Sequence, residues 1–263
     1  MISTVDIVAI PAFHDNYIWV IRCAVQRSVF VVDPGDAEPV IKWLQVNHCV
    51  LAGILITHHH ADHVGGVPRL LEHARVPVYG PSQSHAECIN HPLDEGQKVT
   101  CFGIDFDILR VPGHTLDHIA YYAGSESPRK PILFSGDTLF AGGCGRLFEG
   151  STAQMYRSLQ TLSALPDDTE VYCAHEYTLA NLRFALAVEP HNPDLKQRWD
   201  DDSAARATDT PTVPSSLALE KRTNPFIRTG IPSVASAARA RIDVANPPEE
   251  TIFAALRKWK DQF

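Results

Sequence analysis

The stretch ILITHHHADHVGG, residues 54–66, decides the fold, because it joins an apolar run to three consecutive histidines, an aspartate and a fourth histidine. The apolar residues within 51–57 predict a buried strand that ends at this cluster. Successive side chains of an extended chain point to opposite sides. We therefore expect His58 and His60 to reach one metal ion together, while His59 points away and acts as a spacer.

The second half of the cluster consists of Asp62 and His63, where the chain turns toward a helix that we expect to begin near Val64. These two side chains can face a point next to the first one. The cluster thus offers two pairs of ligands for two metal ions, rather than five ligands for one ion. A lone H-x-H pair is weak evidence for a metal site, whereas T-H-x-H-x-D-H behind a buried strand is strong evidence.

Two metal ions need further ligands, and three other strand ends supply them. The runs ILRVPGH, ILFSGD and EVYCAH end at His114, Asp137 and His175. An aspartate is able to bridge two cations about 3.5–4 Å apart with its two oxygens, and Asp137 is the natural bridge. The predicted ligands of one metal are His58, His60 and His114, those of the other are Asp62, His63 and His175, and Asp137 is shared.

This ligand set of nitrogen and oxygen atoms without thiolate predicts two divalent ions per chain, with Zn²⁺ favoured and Fe or Mn as alternatives. A water molecule between two such ions ionises near neutral pH and becomes a nucleophile. His118 is expected to support the site rather than to bind metal, because both ions already have their ligands. Asp33, at the end of another strand, is expected to orient a ligand histidine.

The rest of the chain is organised in two parts. Short apolar or alternating runs bounded by Gly, Pro, Asn or Asp predict strands up to about residue 175. The helices predicted among them are 37–47, 64–74 and 151–165, the last with Ser151 or Thr152 as its N-cap. We predict a layered α/β domain over residues 1–175, with sheet packed on sheet and helices outside. Residues 176–263 are predicted to form a small, mainly helical second domain.

The bulk composition excludes several classes of protein. The 263 residues carry a net charge of −8, which argues against a nucleic-acid-binding role. No apolar stretch approaches the roughly 20 residues that span a bilayer, and the N-terminus lacks the basic and apolar regions of a signal peptide. The six cysteines form no C-x-x-C pair, so no disulfide framework is expected. We expect a cytoplasmic monomer without nucleic-acid or membrane partners.

The metal motifs together resemble those of the metallo-β-lactamase superfamily. They match its order and spacing with THHHADH, GHT at 113–115, GDTLF at 136–140 and AHEYT at 174–178. More narrowly, the chain resembles the hydroxyacylglutathione hydrolase (glyoxalase II) family. The closer signs are FHDNY at 13–17, GGCGRLFEG at 142–150, HEYTLANLRFA at 175–185, TVPSSLALEKRTNPFIR at 212–228 and RKWKDQF at 257–263.

The resemblance implies an α/β fold: a four-layer αββα sandwich, the metallo-β-lactamase fold, followed by a small mainly helical C-terminal domain. It places a binuclear metal site at one edge of the sandwich. It also implies a reaction, the hydrolysis of the thioester S-D-lactoylglutathione to glutathione and D-lactate, which is a step of methylglyoxal detoxification.

The resemblance further implies which residues hold glutathione. The family uses a basic residue and an aromatic in the Gly-rich loop, a tyrosine after the last metal histidine, and an Arg/Lys pair at the C-terminus. The matching residues here are Arg146, Phe148, Tyr177, Arg257 and Lys260. The animal-type loop resembles G-C-G-K-F-Y, so Arg146 keeps the charge of a lysine. Phe148 lacks the hydroxyl of a tyrosine and any hydrogen bond from it.

The terminal pair also fits this ligand on physical grounds. Glutathione carries two carboxylates, and an acidic protein must supply local positive charge to bind it. Arg257 and Lys260, at i and i+3, share a helix face and are able to clamp a carboxylate. The alternative is that basic residues in a last helical turn only favour the helix dipole, a pattern that the acidic PEE at 248–250 also fits.

We hypothesise that a metal-bridging hydroxide attacks the thioester carbonyl, while one metal polarises its oxygen and the other stabilises the departing thiolate. A parent thiol pKa of about 8.5 makes the thiolate a good leaving group, so no dedicated general acid is needed. Asp62 and Asp137 are expected to move protons as well as to bind metal.

The main alternative is an enzyme of the same fold that uses a single iron and acts on glutathione persulfide and O₂. Such an enzyme needs only three metal ligands, whereas this chain has Asp62, His63 and His175 placed for a second ion. A β-lactamase, a nuclease and a metal-stabilised binding module fit the residues less well.

Overall fold

The structure, a computed structural model, describes residues 5–23, 25–124 and 130–263. The chain divides into two compact units, each formed by two segments. The first unit comprises Met1–Arg110 and Thr115–Gly136, apart from the residues that are not described, and the second comprises Val111–His114 and Asp137–Phe263. The domain boundary predicted after residue 175 falls inside the second unit and stays a prediction. Within the described ranges, no helix is long and apolar enough to cross a membrane.

Two sheets account for most of the first unit. The strands of the first sheet, in order, are β1 Val5–Ala12, β2 Asn16–Cys23, β3 Ser28–Val32, β4 Val50–Leu55, β5 Val78–Pro81 and β6 His91–Leu93. The first three pair antiparallel, and β3 to β6 pair parallel. The second sheet contains the antiparallel neighbours β7 Lys98–Cys101, β8 Ile104–Arg110, β9 Ile119–Ala123 and β10 Ile132–Gly136.

The alternation of side chains along β3 shows how this unit is layered. Val29 and Val31 join an apolar cluster that includes Val40 and Leu70 from helices. Phe30 points to the opposite face, where its ring meets the edge of the Phe102 ring at 5.3 Å between centroids. Because alternate residues of a strand face opposite sides, one sheet is covered by helices on one face and by the second sheet on the other. The helices of the unit are α1 Ala37–Asn47, α2 Ala61–Val64 and α3 Val67–His73.

The predicted helix near Val64 proves to be two helices. α2 already begins at Ala61, and α3 follows after two glycines. The second of these, Gly66, cannot carry a side chain, because an added Cβ would lie 2.5 Å from the backbone of Pro34 and of Ala37. The close approach of another backbone segment therefore divides the helix, and local periodicity does not reveal such a contact.

The second unit is mainly helical. Its strands are β11 Leu139–Phe140, β12 Gly143–Cys144, β13 Glu170–Cys173 and β14 Ser215–Ser216. Its helices are α4 Thr152–Ser163, α5 Thr178–Val188, α6 Pro193–Arg206, α7 Leu217–Thr223, α8 Pro232–Arg239 and α9 Glu249–Asp261. Ser151 caps α4 through a reciprocal pair of bonds with Gln154, which settles the two N-cap candidates in favour of Ser151. α7 and α8 were not predicted from the sequence.

Candidate metal centre

Asp33 organises the histidine cluster from the end of β3. Its Oδ1 accepts a hydrogen bond from the backbone N–H of Thr57 at 2.7 Å, and its Oδ2 accepts one from the Thr57 hydroxyl at 2.7 Å. The same Oδ2 lies 3.0 Å from Nδ1 of His63, a ring without exposed surface. A carboxylate at Nδ1 keeps the proton there and directs the lone pair of Nε2 outward. Asp33 thus lies against one of the predicted ligand histidines, and its orienting role stays a prediction.

Asp62 stands beside the outer nitrogen of this ring. Its Oδ2 is 3.4 Å from Nε2 of His63, and it accepts a hydrogen bond from the Asn16 side chain at 3.1 Å. Asn16 belongs to the segment FHDNY at 13–17, whose role the sequence did not reveal. The bond fixes the orientation of the Asp62 carboxylate.

His58 and His60 lie together, as the alternation of an extended chain predicts. Their ring centroids are 4.7 Å apart, and His58 is fully buried. Nδ1 of His58 is 3.1 Å from the Thr57 hydroxyl. The ring of His118 stacks on His58 with 4.6 Å between centroids and 16° between planes. His118 therefore packs against a predicted ligand, in the supporting place expected for it.

His59 is directed elsewhere, again as predicted. Its Nδ1 lies 3.0 Å from the carboxylate of Asp117, which also accepts a hydrogen bond of 2.6 Å from the Thr115 hydroxyl. Burial raises the pKa of Asp117, but hydrogen bonds from Thr115, Ser84 and His59 outweigh it and hold this pKa below its usual range. Asp117 is therefore an anion at neutral pH, and it holds the imidazole of His59.

Asp137 stands between two histidines of the second unit. Its Oδ2 is 3.3 Å from Nε2 of His114 and also 3.3 Å from Nε2 of His175, and all three side chains are buried. Nδ1 of His114 is 2.8 Å from the backbone carbonyl oxygen of Arg146, so Nδ1 carries the proton and donates it. Nε2 of His114 is then the ring atom with a lone pair able to bind a metal ion.

Ligand atoms at these distances suit a common cation. Two ligand atoms about 2.1 Å from one ion, at a tetrahedral angle, are about 3.4 Å apart. The separations of Asp137 from His114 and His175, and that of Asp62 from His63, are 3.3–3.4 Å. Within each unit, these side chains thus have the spacing and the chemistry of nitrogen and oxygen ligands for a divalent ion.

Both units contribute histidine and aspartate side chains that are able to bind a metal ion. Among the described residues, those of the first unit are His58, His60, Asp62 and His63, and those of the second unit are His114, Asp137 and His175. A histidine and aspartate cluster able to bind a metal ion is thus present, as the sequence predicted.

Three of the residues expected to hold glutathione are accessible. Arg146 and Phe148 are exposed, and Tyr177 is 36% exposed. The ring of Phe148 meets the edge of His114 at 5.2 Å, and the ring of Tyr177 stacks on His175 at 4.7 Å with 4° between planes. Exposed aromatic rings thus lie directly against two of the predicted metal ligands.

The terminal pair of α9 differs in its exposure. Arg257 is buried, donates to the carbonyl oxygen of Cys144 at 3.0 Å and pairs with Asp261 at 2.8 Å. Its contact with glutathione therefore stays a prediction, beside a structural role that the sequence did not indicate. Lys260 is half-buried and donates to the carbonyl oxygen of Ala180 at 2.9 Å. Burial, followed by the charge of Arg257, lowers the pKa of Lys260 to about 8.

Two family models together match the chain from residue 13 to its end. That of the metallo-β-lactamase superfamily matches residues 13–175, and that of the hydroxyacylglutathione hydrolase C-terminus matches residues 176–263. The fold and the metal-binding cluster are thus those of a metallo-β-lactamase superfamily protein. A hydroxyacylglutathione hydrolase of Pseudomonas putida (strain W619) is 53% identical over 260 residues, which cover 98% of this chain and 100% of the relative. Within the superfamily, the chain belongs to the hydroxyacylglutathione hydrolase family.

Solved structures agree with this fold. The crystal structure of ETHE1 from Myxococcus xanthus has a TM-score of 0.64 and 26% identity, and the match covers 98% of each chain. The crystal structure of TTHA1623 in a di-iron-bound form has a TM-score of 0.57 and 26% identity, covering 84% of this chain and 99% of the other. The predicted fold class, a metallo-β-lactamase fold followed by a mainly helical C-terminal domain, is confirmed.

Proposed function

We propose that this chain hydrolyses S-D-lactoylglutathione to glutathione and D-lactate, with two divalent metal ions in its site. The observation that carries the proposal is the position of Asp137, whose Oδ2 lies 3.3 Å from Nε2 of both His114 and His175. One histidine is assigned to each ion, so a carboxylate between them is placed to bridge the two. Membership of the hydroxyacylglutathione hydrolase family supports the choice of substrate.

The proposed assignment of ligands is the one predicted from the sequence. His58, His60 and His114 would hold one ion, Asp62, His63 and His175 the other, and Asp137 both. Zinc suits this set best, with iron or manganese as alternatives. A structural relative in a di-iron-bound form supports the count of two. When bound, such ions supply Lewis acidity that ionises water near neutral pH and polarises a carbonyl.

The chain's own residues prepare this chemistry by fixing proton positions. The Asp33 carboxylate beside Nδ1 of His63 and the Arg146 carbonyl at Nδ1 of His114 favour the tautomers whose Nε2 is able to bind metal. We assign to Asp62 and Asp137 the acceptance and return of a proton during hydrolysis. The leaving thiolate needs no general acid, since its parent thiol has a pKa of about 8.5.

The substrate's glutathione part is assigned to residues of the second unit. The exposed Arg146 would pair with a carboxylate of glutathione. The rings of Phe148 and Tyr177 would make apolar contact with the substrate. Lys260 and Arg257 supply further positive charge near the C-terminus. In this proposal residues 1–175 form the metal-binding domain and residues 176–263 the glutathione-binding domain.

The setting of the enzyme is proposed to be the cytoplasm. All six cysteines are free thiols, and a reducing compartment keeps thiols in that state. We further propose that the chain acts as a monomer, which light scattering on the purified protein would test.

The decisive experiment is thiol release from S-D-lactoylglutathione by purified protein, with metal content counted on the same sample. We expect rapid release, about two metals per chain, and loss of activity after chelation that returns when metal is restored. No release from a sample that carries a single iron would overturn the proposal. Oxygen consumption with glutathione persulfide would then identify the alternative dioxygenase.

A further inference from the structure

The hairpin of β11 and β12, Leu139–Cys144, connects the metal ligands to the proposed glutathione loop. It begins two residues after Asp137 and ends two residues before Arg146. Its turn requires Gly142, which has a φ of +68°. A two-residue pairing on each strand is too short to fix such a hairpin alone. Its position must come from other contacts.

Side chains from α7 and the residue after it bind the backbone of this hairpin. Oε2 of Glu220 accepts the backbone N–H of Gly142 at 2.8 Å. Nδ2 of Asn224 donates to the carbonyl oxygen of Gly143 at 2.9 Å and to that of Phe140 at 3.3 Å. Asn224 also donates to Oε2 of Glu220 at 3.0 Å. Two side chains, about 80 residues away in sequence, thus hold backbone groups of three residues of the hairpin, Phe140, Gly142 and Gly143.

The carboxylate that does this is buried and its charge is compensated. Glu220 has no exposed surface, and Arg198, itself 3% exposed, donates to its Oε1 at 2.7 Å. Arg198 also donates to the hydroxyls of Thr223 at 2.6 Å and Ser215 at 3.2 Å. Because burying two charges costs desolvation energy that offsets their attraction, the benefit of this ion pair to folding alone is small. Oε2 of Glu220, the carboxylate oxygen that Arg198 does not bind, accepts its hydrogen bond from the hairpin.

The far end of the hairpin reaches a metal ligand. The backbone N–H of Gly145 donates to the carbonyl oxygen of Thr138 at 3.2 Å. A Cβ added to Gly145 would lie 2.0 Å from the carbonyl oxygen of Asp137, so the chain passes the bridging residue closely. The next residue, Arg146, presents the carbonyl oxygen that holds Nδ1 of His114 at 2.8 Å. Displacing the hairpin therefore displaces the group that sets the tautomer of His114.

From these contacts we infer that Glu220 and Asn224 are positioning residues of the metal centre: they hold the 139–144 hairpin so that the Arg146 carbonyl orients His114. This inference rests on the proposed function for the role of His114 as a metal ligand. It also gives the helical part of the chain a second task, since α7 acts on the metal site through the backbone and not by touching substrate.

The test compares Asn224→Ala and Glu220→Gln with Glu189→Gln. Glu189 is a matched control, because it is a buried carboxylate of the same unit, paired with Arg228 at 2.9 Å and with Ser233 at 2.6 Å. Three quantities are measured: zinc affinity by competition with a chelator, amide hydrogen exchange of residues 139–146, and KM with kcat for S-D-lactoylglutathione.

We expect both hairpin variants to lose about 10–100-fold in zinc affinity, the loss typical when a group that orients a metal ligand is removed. Hydrogen exchange at 139–146 should accelerate, and KM should rise because Arg146 and Phe148 move with the loop. Glu189→Gln should lower the melting temperature and leave zinc affinity and exchange at 139–146 unchanged.

Two results would overturn the inference. One is that Asn224→Ala keeps the zinc affinity and the hydrogen exchange of the wild type. The other is that Glu189→Gln loses as much zinc affinity as the hairpin variants. If Glu220→Gln fails to fold, Asn224→Ala and Asn181→Ala carry the test, since Asn181 donates to the hairpin carbonyl of Ala141 at 3.1 Å. Zinc affinity and exchange need no thioester. A wild-type protein that cleaves none would therefore refute the proposed substrate without deciding the role of the hairpin.

Discussion

Oδ2 of Asp33 lies 3.0 Å from Nδ1 of His63, and neither side chain is more than 4% exposed. The carboxylate also accepts both the backbone N–H and the hydroxyl of Thr57. Asp33 therefore connects Thr57, which precedes the histidine cluster, to the ring of His63, the last histidine of the cluster. This relationship sets the orientation of a predicted ligand before any metal binds.

Replacing this carboxylate by an amide tests the relationship. In Asp33→Asn the amide nitrogen can face Nδ1 of His63, which would move the ring proton to the metal-binding Nε2. We expect zinc affinity to fall about 10–100-fold, measured by chelator competition and metal counting. Asp6→Asn is the control, since Asp6 pairs with Arg22 at the surface of the same unit. Retention of full affinity in Asp33→Asn would contradict this account.

The bridging role of Asp137 predicts a loss of both metal and rate. Asp137→Asn keeps the shape of the side chain but removes the charge between His114 and His175. We expect about one metal per chain instead of two and a fall in kcat of at least about 10²–10³-fold. Asp107→Asn, at a surface ion pair with Lys98, should change neither quantity. A variant with two metals and a normal kcat would exclude the bridge.

Lys260 predicts a pH dependence of substrate binding. Its pKa is lowered to about 8, so the cation is fully present below pH 7 and is lost as the pH rises through 8. If this cation binds a glutathione carboxylate, KM should rise between pH 7 and pH 9 while kcat follows its own profile. Lys260→Met should remove this rise and give a high KM at both pH 7 and pH 9.

The neighbouring exposed Lys258 provides the control, because Lys258→Met should leave the KM profile unchanged. The Lys260 prediction fails if KM in the wild type is flat over this range, or if Lys260→Met retains the wild-type profile.

Gly136, the residue before Asp137, is predicted to be irreplaceable for steric reasons. It has a φ of +49°, and an added Cβ would lie 2.5 Å from the Thr57 hydroxyl and 2.7 Å from Cε1 of His118. Gly96→Ala is the matched control, because Gly96 has a φ of +81° and no atom within 4 Å of an added Cβ.

The control should cost about 1–2 kcal/mol in the free energy of unfolding, through backbone strain alone. Gly136→Ala should cost clearly more, about 3 kcal/mol or above, because the collision adds to the strain. Both values follow from denaturant unfolding. Equal costs for the two variants would show that the contacts of Gly136 with Thr57 and His118 do not matter.

The sequence predicts a histidine and aspartate cluster able to bind a metal ion, and the structure contains one. The alternation of side chains in an extended segment predicts that His58 and His60 lie together, as they do, and the contact of His59 with Asp117 was not predicted. Strand ends that follow apolar runs likewise supply His114, Asp137 and His175. Each of these inferences needs only a local pattern: an apolar run predicts a strand, and a polar side chain directly after it predicts a ligand at the strand end.

Contacts between distant segments are what the sequence does not predict. The division between α2 and α3 at Gly66 depends on the backbone of Pro34, and the burial of Arg257 depends on the carbonyl of Cys144. The bond between Gly142 and Glu220 joins residues 78 positions apart. A linear pattern contains no sign of which distant peptide group a side chain will reach.

The burial of Cys144 beneath Arg257 has a consequence for an enzyme that releases a thiol. Burial raises the pKa of Cys144 to about 11, although the charge of Arg257 lowers it in part, and burial raises that of Cys173 to about 12. Only a thiolate attacks a disulfide, so these sulfurs are inert near neutral pH. Cys144, the last residue of the hairpin, and Cys173, two residues before His175, should therefore form mixed disulfides with oxidised glutathione only slowly near neutral pH.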